Sequence, residues 1–173
     1  MFKNTILSLA ILSASQFAHA GGGYEVGGIY TGITAEANSD YNTAGVHVTA
    51  TGTISGDTMV LAMADVVQRL QKGDGDRARN ATVGVALGAG WLFGKERSWG
   101  AGTIARYDAD SLLTDKEKAD GKDHFNRHGI KPGVYMFKYF EKSESIPAQI
   151  YRVTVVNDGS GNEASFQVEL KLD

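Results

Sequence analysis

The sequence predicts a mainly β fold: an antiparallel β-sandwich or barrel with one amphipathic helix packed against it. Three observations carry that expectation. Glycine is abundant at 22 residues and proline scarce at 2, in a chain rich in Thr and Val, which reads as strands and turns rather than a helical bundle. Residues 46–51 and 164–172 alternate apolar and polar side chains with period two, the mark of strands with one dry and one wet face. Residues 58–72 depart from that pattern and supply the helix.

The elements follow in chain order. Residues 1–20 read as a cleavable signal peptide: a short positive start with Lys3, an apolar run from Ile6 to Leu12, and the small residues Ala18 and Ala20 ahead of the expected cut. That apolar run is far shorter than the roughly 20 residues of a membrane-spanning helix. Residues 21–173 are then a single exported domain. Removing Lys3 takes the formal net charge from −3 to about −4, a mildly acidic balance without the footprint of a nucleic-acid binder. The chain has no cysteine, which excludes disulfides, thiolate metal sites and a cysteine nucleophile.

Residues 26–35 alternate loosely and are read as a first strand, and 37–43 as a turn. In 46–51, Val46, Val48 and Ala50 form the dry face and His47, Thr49 and Thr51 the wet one. Asp57 is placed to cap the helix that follows. Met59, Met63, Val66, Val67 and Leu70 then recur at three- and four-residue spacing, with Gly73 as a stop. The glycine-laced segment 81–93 carries the small-xxx-small spacing of packed membrane helices. It is short for a span, and glycine weakens a helix, so a strand is expected, with Val83, Val85 and Leu87 on one face. Residues 107–131 are dense with charge of both signs and read as a long surface excursion.

Lys131-Pro132-Gly133 reads as a turn leading into a strand over 134–140. The phrase Gly129-Ile130-Lys131-Pro132-Gly133-Val134-Tyr135 resembles the strand entry common in transthyretin-like and other extracellular β-sandwich domains, and implies a sandwich. Residues 150–156 and 164–172 form the last hairpin, with Phe166, Val168, Leu170 and Leu172 expected in the core.

Few residues point to chemistry. His124 and His128 are four apart, beside Asp120 and Asp123, a donor set that suits zinc or another transition metal if the segment is helical; two solvated loop histidines are the plainer reading. Trp91, Trp99 and Tyr107 flank the glycine-rich stretch and mark either a ligand or partner surface or a filled core. Asp158, Ser160, Asn162 and Glu169 mimic a calcium loop, but Glu163 stands where that loop needs glycine. There is no Gly-x-Ser-x-Gly elbow and no phosphate-cradling loop, so no catalytic residue is nominated and no cofactor is expected.

The expected function is that of a soluble, non-enzymatic periplasmic or secreted domain binding a protein partner or an envelope or extracellular ligand. The alternatives are a secreted, pore-forming-like protein that meets a membrane surface through 58–72 and 81–93, and a metal-dependent hydrolase at His124 and His128.

Overall fold

The computed structural model describes residues 26–37, 41–71, 81–110, 130–157 and 162–172. The expected signal peptide lies outside them. Eight strands, β1 (Gly28–Ala37), β2 (Tyr41–Ser55), β3 (Thr58–Gln71), β4 (Ala81–Phe93), β5 (Trp99–Asp110), β6 (Ile130–Phe140), β7 (Gln149–Asn157) and β8 (Asn162–Lys171), pair with their sequence neighbours, all antiparallel. β8 also pairs with β1, so the sheet closes into an up-and-down barrel rather than a sandwich. Followed around the barrel from Ala37 through Ala164, Val155, Val134, Thr103, Ala89 and Val60, the register reaches Gly52 beside the start of β1. That stagger of about ten residues tilts the strands within the range expected of a barrel this size.

The expected helix is absent. Residues 58–71 are strand β3, and Asp57 lies in the β2–β3 hairpin turn beside Gly56, whose φ of 53° is left-handed. The reason lies in the faces of β3. Met59, Leu61, Met63 and Val67 point into the barrel, while Val60, Ala62, Ala64 and Val66 point out. With both faces apolar no period-two signal exists, and chance spacing mimics a helix. Lys131-Pro132-Gly133 is likewise not a turn but the first part of β6, with Pro132 exposed near the strand's start, where a missing N–H is tolerated. The segment Ala81–Phe93 is a strand as expected, and the last hairpin pairs as expected. Strand β5, read in part as surface excursion, completes the barrel.

The faces, however, are reversed. In β8, Glu163, Ser165, Gln167 and Glu169 are buried inside the barrel, and Phe166 and Leu170 are exposed, as is Leu172 just beyond the strand. In β2, His47, Thr49 and Thr51 are buried and Val46 is exposed. The buried apolar side chains gather at the end of the barrel that holds the β2–β3, β4–β5 and β6–β7 connections, here called the turn end. There Tyr30, Met59, Leu61, Leu92, Phe137, Tyr139 and Ile150 fill the interior. The ring of Phe137 lies over Gly100, where an added Cβ would stand 2.2 Å from it.

This facing has a direct consequence. Phe137→Ala empties a buried ring and is expected to cost about 3–5 kcal/mol. Phe166→Ala, on the outer face, should cost clearly less. Denaturant titration of the two variants side by side checks the assignment, and equal losses would contradict it.

Candidate functional site

The opposite end of the barrel, where β1–β2, β3–β4, β5–β6 and β7–β8 connect, encloses charge instead of hydrocarbon. Arg106 of β5 points inward and spreads its planar fork over three carboxylates. Its Nη1 and Nη2 donate to the two oxygens of Asp65 on β3, at 2.6 and 3.0 Å, and its Nε donates to Asp108 at 2.7 Å. Glu36 of β1 lies 3.4 Å from Nη2. Lys131 of β6 donates to Asp108 at 2.6 Å and to Glu163 of β8 at 3.2 Å. Five strands are thereby joined by charge-assisted bonds, the strong class of hydrogen bond. Gly84 makes room for them. It sits in register between Asp65 and Asp108, and a Cβ there would stand 2.5 Å from Asp65 and 2.7 Å from the Arg106 guanidinium.

Below this layer lies a second polar group. Arg152 of β7 and Glu169 of β8, both at 0% exposure, approach to 2.9 Å, close enough for an ion pair although not aligned as a hydrogen bond. Arg152 Nη1 reaches Thr49 at 3.5 Å, Gln167 Nε2 reaches the Met63 sulfur at 3.1 Å, and His47 Nε2 stands 3.6 Å from Glu169, beyond hydrogen-bond distance. The hydroxyls of Tyr135 and Thr154 and both His47 nitrogens have no hydrogen-bond partner. Proton-transfer chemistry needs a substrate within reach of such groups. Here the apolar turn-end plug closes one side and the Arg106 layer the other. At the turn end, the Tyr30 hydroxyl and Thr51 both donate to the Val26 carbonyl, at 2.8 and 2.6 Å, tying the incoming chain across the opening.

The outer face is the converse of the interior. Ile33, Val46, Ile54, Val66, Leu87, Val134, Met136, Val153, Phe166 and Leu170 all point outward and are exposed. Lys138 is the one charged side chain on an outward strand position among the described residues. The three aromatic residues singled out in the sequence belong here and not to the core: Trp91 and Trp99 at the turn end, Tyr107 toward the other. Eight residues separate Trp99 from Tyr107 on β5, about 26 Å at 3.3 Å per residue, or roughly 20 Å along the axis of a tilted barrel. Phe93, Trp99, Lys138 and Tyr151 lie side by side across β4 to β7, so the turn end carries a row of rings.

His124, His128, Asp120 and Asp123 lie outside the described residues. Among the described residues no three His, Cys, Asp or Glu side chains are grouped to hold a metal ion. No protein-family model matches this chain, and no curated protein sequence matches it either. The buried charges Arg106, Lys131, Arg152, Asp65, Asp108 and Glu169 were missed by sequence reasoning, which placed Asp108 and Lys131 in a surface excursion. The available signal was their place in an alternating strand: Gly102, Ile104, Arg106 and Asp108 share one face of β5.

Removing the central cation tests this charged layer, at what is here called the loop end of the barrel. Arg106→Met leaves Asp65, Asp108 and Glu36 facing one another without their shared counter-charge, and is expected to cost about 3–5 kcal/mol. Gly84→Val drives bulk into the guanidinium and should cost about 1–3 kcal/mol. In a double-mutant cycle by urea titration, the two changes should be less than additive, because each disrupts the same contacts.

Proposed function

We propose that this chain is a membrane-spanning β-barrel of the outer-membrane type, exported through the signal at residues 1–20, and that it works as a closed scaffold rather than an open pore. The observation that carries this reading is the reversal of the faces: a largely apolar outer surface around an interior that holds paired charges and other buried polar side chains. In water that arrangement is costly, because monomeric soluble proteins rarely expose contiguous apolar surface beyond a few hundred Å². Against lipid it is the arrangement that transmembrane barrels adopt, with apolar and polar residues alternating outward and inward.

Other features support the reading. The strand number is even, the pairing antiparallel, and the strands, at 9 to 15 residues, match or exceed the roughly 9–11 that cross a bilayer at a tilt. Closure leaves no sheet edge to be hydrogen-bonded by water, the condition for a β-structure to lie in hydrocarbon. Aromatic side chains cluster where the belt ends, as they do at membrane interfaces. The β2–β3 connection is a tight turn. No helix among the described residues is long and apolar enough to cross a membrane, a criterion that does not bear on strands. The expected soluble binding domain draws no comparable support, because its nominated surface of Trp91, Trp99 and Tyr107 is part of the apolar belt.

The membrane reading and the soluble reading differ at Leu87, which is 63% exposed midway along β4. Leu87→Arg should destabilise the protein folded into lipid vesicles by about 2–4 kcal/mol, while Ile54→Arg near the turn end should cost about 0–1. Reversible urea titration in vesicles measures both. A soluble domain would tolerate Leu87→Arg within about 0.5 kcal/mol, as surface changes usually are.

A further inference from the structure

Lys138 is charged, whereas every other described outward strand position is uncharged. It stands two residues before the turn end of β6, in register with Trp99 on β5 and Tyr151 on β7. Its ammonium donates to the Ser98 hydroxyl at 2.5 Å and lies 5.1 Å from the centre of the Trp99 ring and 5.7 Å from that of Phe140. Phe140 in turn meets Tyr151 edge-on at 5.3 Å. Ser98 is fixed in place: its hydroxyl donates to the Lys95 carbonyl and its own carbonyl accepts from the Tyr139 N–H. Among the described residues the ammonium meets one hydroxyl and two rings and no carboxylate. This contrasts with Arg106, Lys131 and Arg152, each of which has an acidic partner.

We infer that Lys138, positioned by Ser98, forms a binding site for the phosphate of a membrane phospholipid at the turn-end interface. The inference rests on the membrane reading above. A lysine in the hydrocarbon midplane is costly, but at the interface its stem can lie along apolar surface while the charge reaches the headgroups. The rings of Trp99 and Phe140 hold the ammonium by cation–π attraction without neutralising it. Its remaining N–H donors face the level at which phosphodiesters lie, while the Ser98 oxygen, accepting from the ammonium, holds it in place. A phosphate monoanion supplies the missing counter-charge, and a charge-assisted bond to it is short and strong. The acyl chains of the same lipid would run along the apolar surface of Met136, Val134 and Val153, which continues from Lys138 toward the barrel's middle. A free phosphate has the same headgroup chemistry but gains nothing from that surface.

The test is native mass spectrometry of the full mature chain released from micelles doped with either phosphatidylglycerol or diacylglycerol, which lacks the phosphate. The unaltered protein should retain one phosphatidylglycerol and no diacylglycerol. Lys138→Ala should lower retention at least tenfold, Ser98→Ala by less, and Lys138→Arg should keep it. A large excess of glycerol phosphate should not displace the lipid. Retention by Lys138→Ala within twofold of the unaltered protein overturns the inference, as does equal retention of diacylglycerol or displacement by glycerol phosphate. Protease protection in vesicles, run on every variant, separates the two levels of argument. If even the unaltered chain fails to insert, the membrane reading fails and this site with it. If all variants insert alike and retain lipid alike, the phosphate site alone is refuted.

Discussion

Eight antiparallel strands closed on themselves leave an interior only wide enough for side chains, and that constraint orders the rest of this molecule. Every second residue must fit inside. A charge placed there can neither reach solvent freely nor go unpaired, since an isolated buried ion is far too costly to keep. Arg106 meets the constraint by geometry. Its five donors lie in one plane, and carboxylates from β1, β3 and β5 are set around that plane. A lysine in its place could not make the same bidentate contact with Asp65. Lys131 extends the layer to β6 and β8 through Asp108 and Glu163, so the acids are shared between two cations rather than matched one to one. The network therefore fixes which strands neighbour the centre, and through them the register of the loop-end half.

Glycine is the complement of that packing. The guanidinium occupies the space that a side chain at position 84 would fill, between the two aspartates that bind it. At the turn end Phe137 does the same over Gly100 with hydrocarbon instead of charge. Large inward side chains thus face absent ones across the strand pair, which is how a narrow barrel admits an arginine or a phenylalanine at all. It also explains why glycine is common in strands here, although it weakens an ordinary strand.

Much of the β-architecture was legible because period two survives whichever solvent the strands face. In 164–172 the alternation gave the strand and its hairpin partner correctly, yet assigned Phe166 to the core. A sequence alternating apolar and polar residues is the same string for a water-soluble sheet and for a lipid-facing one; only the polarity of the medium decides which face turns inward. Where that alternation faded, the reading failed. β3 is apolar on both faces toward the turn end, where the interior itself is hydrocarbon, and so passed for a helix. β5 opens with Trp99 and a run of Gly, Ala and Thr and carries the buried charges Arg106 and Asp108 near its end, and its last residues, 107–110, passed for surface excursion. Lys138 gave no signal of its own: only the register shows it between Trp99 and Tyr151.

The two halves of the interior have different consequences for function. At the turn end Tyr30, Met59, Leu61, Phe137 and Ile150 interdigitate, and the Val26 carbonyl is held across the opening by Tyr30 and Thr51. Such packing is dense and responds to any added methylene. At the loop end the filling is ionic, and replacing it would require several charges to change together. A polar solute travelling the lumen would have to displace both, the first by opening a packed apolar core and the second by breaking shared ion pairs. The intervening Arg152, Glu169 and His47 layer is polar but enclosed between them, so its unpartnered atoms are reachable only after one of those barriers opens. Activity at the surface of this barrel is therefore favoured over activity through it. The outer belt is the part of the described barrel that a partner or a lipid can meet without disturbing the fold.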